Sequence, residues 1–228
     1  MHNASSRRAF LATAALGGAG LLASGLPASA APLHPDAQHA LDTLMAGNAR
    51  FVADKAACPP LTARRLELAQ GQSPFAIIVS CSDSRVPVET VFDQVPGSIF
   101  GVRIAGNFID DNGLGSIEYS VAALKSSLIL VLGHTQCGAV KATVQYVKDG
   151  TAQPSHIQRL ITAIEPAAKA TKGKPGDWVE NATIANVHDN LAALTVRSPI
   201  VAEAVAARSL SVAGGAYHLD TGRVTIVT

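Results

Sequence analysis

Two uninterrupted apolar runs constrain this chain more than any other feature. Phe75-Ala76-Ile77-Ile78-Val79-Ser80 and Ser127-Leu128-Ile129-Leu130-Val131-Leu132 carry no charge and no polar–apolar alternation. A strand of that kind must be covered on both faces, the condition met in a parallel sheet with helices on each side. Ser98–Ile104 is a third strand candidate, and helical patterns at Leu114–Lys125 and Ala139–Lys148 alternate with the strands. Such alternation predicts βαβ units. Ala40, Leu41, Leu44, Met45 and Phe51 recur at helical spacing within Ala37–Val52, and a short helix is expected over Thr62–Ala69. Ser155–Ala207 reads as mostly helical. Short strands near Ser211–His218 and Arg223–Val227, joined by a Thr221-Gly222 turn, close the chain. The expected fold is therefore α/β: a central, mostly parallel sheet flanked by helices, with an N-terminal helical arm and short C-terminal strands.

In open parallel sheets the reactive residues gather beyond the carboxyl ends of the strands. The first strand ends in Cys81-Ser82-Asp83-Ser84-Arg85, and the strand over 127–132 ends in Gly133-His134-Thr135-Gln136-Cys137-Gly138. Zinc favours thiolate and imidazole ligands, and a catalytic site offers three protein ligands with one open position. Cys81, His134 and Cys137 make such a set, from two ends of one sheet edge. Taken alone, the two cysteines are also compatible with buried apolar packing or a disulfide. Alternate residues of an extended segment share a face. Asp83 and Arg85 are thus expected to converge on Cys81, with Arg85 holding Asp83 ionised.

The N-terminal thirty residues differ from the rest. Arg7 and Arg8 in Ser6-Arg7-Arg8-Ala9-Phe10-Leu11 resemble a twin-arginine export signal, and Ala28-Ser29-Ala30 fits a small-residue cleavage site. The expected organisation is a signal over 1–30 and a catalytic domain over 31–228, delivered to the periplasm or otherwise exported. An uncleaved membrane anchor is the alternative for this Gly/Ala-rich stretch. After removal of the signal, no stable membrane association is expected. Cleavage removes two arginines and no acid, so the net charge falls from +1 to near −1. With 15% charged residues and no basic run, a nucleic-acid partner is excluded from the reading. Three cysteines in an exported chain leave one over from any single disulfide; Cys58 is read as a small apolar residue or a free thiol. The twin-arginine route carries folded proteins, which lets a thiolate–metal site form before export.

Cys81-Ser82-Asp83-Ser84-Arg85 with His134-x-x-Cys137-Gly138 resembles the two-part signature of the β-class carbonic anhydrases. The likeness extends from Gly71-Gln72-Ser73-Pro74 through Pro96-Gly97 and Ile117-Glu118-Tyr119 to Val140, and more weakly to the last strands. It implies one Zn2+ per chain, reversible hydration of CO2 to bicarbonate, and a homodimer or dimer of dimers. It further implies that Asp83 orients the attacking nucleophile and can swing onto the metal, with Arg85 as support and switch. Gln72 matches a bicarbonate-binding glutamine. Phe100 and Tyr119 match aromatic pocket residues, and Ala105 a small apolar one, in a pocket drawing on both subunits. One departure stands out: Ile104 follows Arg103 where the family commonly has Asn, which bears on the pocket loop.

Three other readings compete. A hydrolase of carbonyl sulfide or carbon disulfide would share the scaffold and ligands. A non-catalytic zinc or bicarbonate module would keep Asp83 on the metal, leaving Arg85 without a purpose. A thiol redox protein would leave His134, Asp83 and Arg85 unused, and no Cys-x-x-Cys is present.

Overall fold

The computed structural model describes residues 32–57 and 61–227. The expected export segment over 1–30 and Cys58 lie outside the described residues. Among the described residues no helix is long and apolar enough to cross a membrane.

Five strands form one sheet: β1 (Ala76–Ser80), β2 (Ile99–Arg103), β3 (Leu128–His134), β4 (Ser211–Tyr217) and β5 (Val224–Ile226), in the order β2-β1-β3-β4-β5. The first four are parallel and β5 is antiparallel to β4. The sheet is mostly parallel, as the apolar runs require, and every residue of β1 and β3 is buried. The C-terminal segment does more than close the chain. β4 lies beside β3 from Leu128↔Ser211 to His134↔Tyr217 and extends the parallel core. The strand falls where the sequence places it, near Ser211–His218, with Gly214 and Gly215 inside it.

Successive side chains of a strand face opposite sides. Ala76 and Ile78 therefore join a core with α1 (Pro35–Val52), while Ile77 and Val79 join Ile117 and Val187 on the other face. That second face is covered by α4 (Asp111–Tyr119), α7 (Trp178–Arg197) and α8 (Pro199–Ala206). The remaining helices are α2 (Leu61–Leu68), a short α3 (Val88–Val91) absent from the sequence reading, α5 (Gly138–Asp149) and α6 (Ile157–Thr171). The helix expected over Leu114–Lys125 begins earlier and ends differently. After α4 a π-helical turn spans Ser120–Leu124 and stops at Lys125, whose φ is +60°. Ser120 and Ser126 hydroxyls pair at 2.9 Å inside this widened turn, and Ser126 donates to the Pro74 carbonyl at 2.8 Å.

Helix α7 approaches the sheet closely because β3 and β4 present glycines to it. A Cβ at Gly133 would fall 2.9 Å from Thr183 Cγ2, and one at Gly214 would fall 2.8 Å from Val187 Cγ1. On the opposite face α1 is clipped down by Asn48, a buried amide with every contact filled. Its Nδ2 donates to the Val91 carbonyl at 3.1 Å and the Gly222 carbonyl at 2.8 Å, and its Oδ1 accepts from Val224 N at 2.9 Å. Asn48→Ala leaves these groups unpaired at a cost of about 1–3 kcal/mol for each one that water cannot reach. The expected result is a clear fall in the urea midpoint, and an unchanged midpoint would show that α1 is not held this way.

Candidate metal centre

Within the sheet order, the chain runs from β1 to β2 on one side and then crosses to β3 on the other. The switch point lies between β1 and β3, where a crevice opens beyond the strand ends. Ser80 pairs with Leu132, so Cys81 leaves the sheet beside Gly133–His134, the last residues of β3, which remain paired with β4. Cys137 is the N-cap of α5 at the end of the following turn. Gln136 in that turn has φ +59°, a left-handed conformation that turns the chain sharply between His134 and Cys137.

The ligand atoms of Cys81, His134 and Cys137 all lie within 4.8 Å of one another, and all three residues are buried. The two sulfurs are 4.0 Å apart and both cysteines are free, which closes the disulfide alternative. His134 Nδ1 lies 2.9 Å from the Thr135 carbonyl, an acceptor only, so Nδ1 carries the proton. Nε2 is left buried and without a hydrogen-bond partner, facing the sulfurs. Thr135 is itself tied down: its N–H donates to Tyr217 O at 2.9 Å and its Oγ1 accepts from Leu219 N at 3.0 Å. The β4 end thereby sets the imidazole.

An orphaned imidazole nitrogen between two thiols fits a tetrahedral thiophilic cation. Zinc takes this donor set with one position left open. Val140, Val144, Ile164, Ala168 and Ala182 wall the cluster with apolar side chains. Without a metal the sulfurs share protons unevenly. The thiol of Cys137, with contacts from His134, the Gly106 amide and the Asp83 amide, lowers Cys81 against the opposing effect of burial. Its bond to Cys81 and its own burial raise Cys137, despite the amides at the start of α5.

Asp83 sits at the rim. Arg85 grips it through Nε–Oδ1 at 2.9 Å and Nη2–Oδ2 at 2.7 Å, and the Arg85 amide adds 3.0 Å to Oδ1. This fork holds the carboxyl well below the usual carboxylate range. Asp83 Oδ2 is 3.8 Å from His134 Nε2, so the carboxylate borders the donor set. Arg103, to which the sequence reading assigned no role, braces the segment with bonds to Cys81 O at 3.2 Å and Asp83 O at 2.7 Å. The turn after it forms with Ile104 in place: Asn107 N donates to Ile104 O at 2.8 Å, with Gly106 at φ +81°.

The remaining expected residues divide. Ala105 adjoins Gly106, whose N–H lies 3.2 Å from Cys81 Sγ. Phe100 and Tyr119 pair with centroids 6.2 Å apart, but Phe100 is opposite Ile77, four residues before Cys81 and thus about 13 Å back along the strand. Tyr119 is 54% exposed. Gln72 is exposed and precedes the amino end of β1. A single chain does not bring Gln72, Phe100 or Tyr119 to the cluster by its own strand geometry.

Comparison with known proteins agrees with this arrangement. The carbonic anhydrase family pattern matches residues 76–224. Carbonic anhydrase 2 of Mycobacterium tuberculosis is 40% identical over 184 residues, 80% of this chain and 89% of that protein. The carbonic anhydrase of Mycolicibacterium smegmatis is 40% identical over 181 residues, 79% and 88% of the two chains. A tetrameric β-carbonic anhydrase of Sordaria macrospora superposes with a TM-score of 0.65 at 27% identity, covering 83% of this chain and 95% of its own. A Coccomyxa β-carbonic anhydrase in complex with acetazolamide gives 0.62 at 27% identity, covering 83% and 82%. The chain belongs to the β-class carbonic anhydrase family, a family of enzymes.

The proton count at the cluster gives a first test. Cys137 is raised, so near neutral pH its thiol keeps a proton that a metal must displace. Zinc uptake is expected to release protons, and apparent affinity to rise about tenfold per pH unit for each proton displaced. Cys137→Ser is expected to abolish stoichiometric uptake. Competition with a chromophoric chelator across pH reads both, and tight binding by the serine variant would remove Cys137 from the ligand set.

Proposed function

We propose that the protein catalyses the zinc-dependent, reversible hydration of CO2 to bicarbonate and a proton, with Cys81, His134 and Cys137 as metal ligands. The observation that carries this reading is the buried, partnerless His134 Nε2 within 4.8 Å of two thiols, bordered by an arginine-held carboxylate. A zinc ion held there supplies the Lewis acidity that makes a hydroxide nucleophile available near neutral pH.

The protein's own groups supply orientation and charge. Asp83 stays ionised at neutral pH and acts only as a hydrogen-bond acceptor, able to fix one proton of the nucleophile and aim its lone pair. Arg85 occupies both carboxylate oxygens and so holds Asp83 aside from the metal position, which favours an open, catalytic centre over a closed four-ligand one. If that fork opened, the carboxylate would be close enough to His134 to become a fourth ligand. The apolar wall around the cluster suits a small neutral substrate.

Gln72, Phe100 and Tyr119 enter the same proposal through a second copy of the chain. The exposed Tyr119 and the edge position of β2 support an assembly in which they complete a neighbouring pocket. A homodimer or dimer of dimers is the proposed state, and the Sordaria relative is described as tetrameric. Arg7-Arg8 and Ala28-Ser29-Ala30 support export by the twin-arginine route, cleavage before Ala31 and a periplasmic setting.

Stopped-flow CO2 hydration by the chain from Ala31, with and without a chelator, tests the reaction. Chelator-sensitive hydration is expected, and Asp83→Asn is expected to keep the metal while slowing hydration by about 10²-fold or more. Zinc bound at one per chain with no hydration at any pH would sink the proposal and turn attention to carbonyl sulfide and carbon disulfide. Full activity in Asp83→Asn would remove that carboxylate from the reaction.

A further inference from the structure

Helix α7 buries two asparagines whose hydrogen bonds go neither to the ligands nor to Asp83. Asn186 and Asn190 are 2% and 7% exposed. A buried amide is costly unless it is hydrogen-bonded, so the partners of each define its use. Asn190 Nδ2 donates to Asn186 O at 2.7 Å and to Asn186 Oδ1 at 3.2 Å, while its Oδ1 accepts from Ile109 N at 2.9 Å. With its Oδ1 facing that donor, Asn186 must turn its own Nδ2 the other way. There it donates to the Gly106 carbonyl at 2.8 Å. Arg197, on the same helix, contacts the Ile109 carbonyl.

The segment 106–109 is thus held at both ends by α7. It has little to hold itself in place. Gly106 and Asn107 both have positive φ, at +81° and +46°. The Asn107 side chain is buried with both polar atoms unpartnered, so it does not cap its own turn. Yet this segment places one N–H against a sulfur, Gly106 N to Cys81 Sγ at 3.2 Å. A side chain at that point would be strained by φ +81°, and its Cβ would lie 2.4 Å from Ile164 Cδ1 and 3.1 Å from Ala139 Cβ.

We propose that Asn186 is a positioning residue for the Cys81 sulfur: it fixes Gly106 so that the Gly106 N–H points at Sγ, and Asn190 fixes the orientation of the Asn186 amide. The inference rests on the metal-centre reading and extends it. An N–H donated to a thiolate withdraws electron density from it. With the donor in place the sulfur gives less charge to a bound cation, and the cation is the stronger Lewis acid. Without it, the sulfur's electrons are held less tightly.

The test uses the chain from Ala31, metal-free and loaded with Co(II). Asn186→Ala removes the tie to Gly106. Asn190→Asp keeps the acceptor for Ile109 N but loses the donation that orients Asn186, so it gives the same changes in smaller measure if the first variant does not fold. In the cobalt protein the sulfur-to-cobalt charge-transfer band is expected to move to longer wavelength, and the midpoint of the activity–pH profile to rise. In the metal-free protein, amide exchange at Gly106 is expected to quicken by about tenfold or more as local opening becomes easier. A merely structural role would lower the melting temperature and leave the band, the profile midpoint and Gly106 exchange unchanged, and that result would overturn the proposal. Absence of any thiolate band in the parent cobalt protein would instead overturn the metal centre, with Gly106 exchange then deciding the role of Asn186 by itself.

Discussion

The parallel pairing of β1 with β3 is the constraint on which the rest of this structure depends. Both strands are buried on both faces, so neither can slide without moving apolar side chains into the wrong layer. Their register sets Ser80 opposite Leu132, and the chain leaves the sheet at Cys81 on one side and His134 on the other. A slip of one residue would exchange the faces of the strand and separate the sulfur from the imidazole. The stability of the core and the assembly of the donor set are therefore one requirement.

Around that crevice, buried and exposed charge are handled differently. The sulfurs sit among apolar side chains, where a thiolate needs donors, and backbone amides from Gly106, from Asp83 and from the start of α5 supply them. The carboxylate stands at the rim, paired with a solvent-facing guanidinium that costs little to leave hydrated. Arg103 carries no direct part in this pairing and instead grips two carbonyls of the Cys81–Asp83 segment.

Close approach is the third element. Glycines in β3 and β4 let α7 settle onto the sheet, and that depth is what allows Asn186 and Asn190 to reach the loop after β2. The turn from His134 to Cys137 is fastened to the end of β4 through Thr135. The outer parallel strand, which supplies no ligand itself, orients the imidazole in this way.

Much of the fold was legible in the order of residues. The runs at 75–80 and 127–132 can be satisfied only by burial on two faces, and the helices between them recur at helical spacing. Cys81, His134 and Cys137 were legible as a set because strand ends in a parallel sheet share one edge. The resemblance to β-carbonic anhydrases rested on the same residues. Other features could not be read in this way. The strand near Ser211–His218 was legible, but its parallel place beside β3 was not, because pairing between distant segments leaves no local pattern. The π-helical turn at Ser120–Leu124 depends on a buried contact with Pro74, more than forty residues away. Asn48, Arg103, Asn186 and Asn190 each bond a segment distant in the chain, and a polar residue on an amphipathic helix looks the same whether it meets water or a distant carbonyl. Local periodicity and residue chemistry determined the layers and the donor set. Only tertiary structure decided which buried polar groups would hold that set, because hydrogen bonds between distant segments leave no periodic trace in the chain.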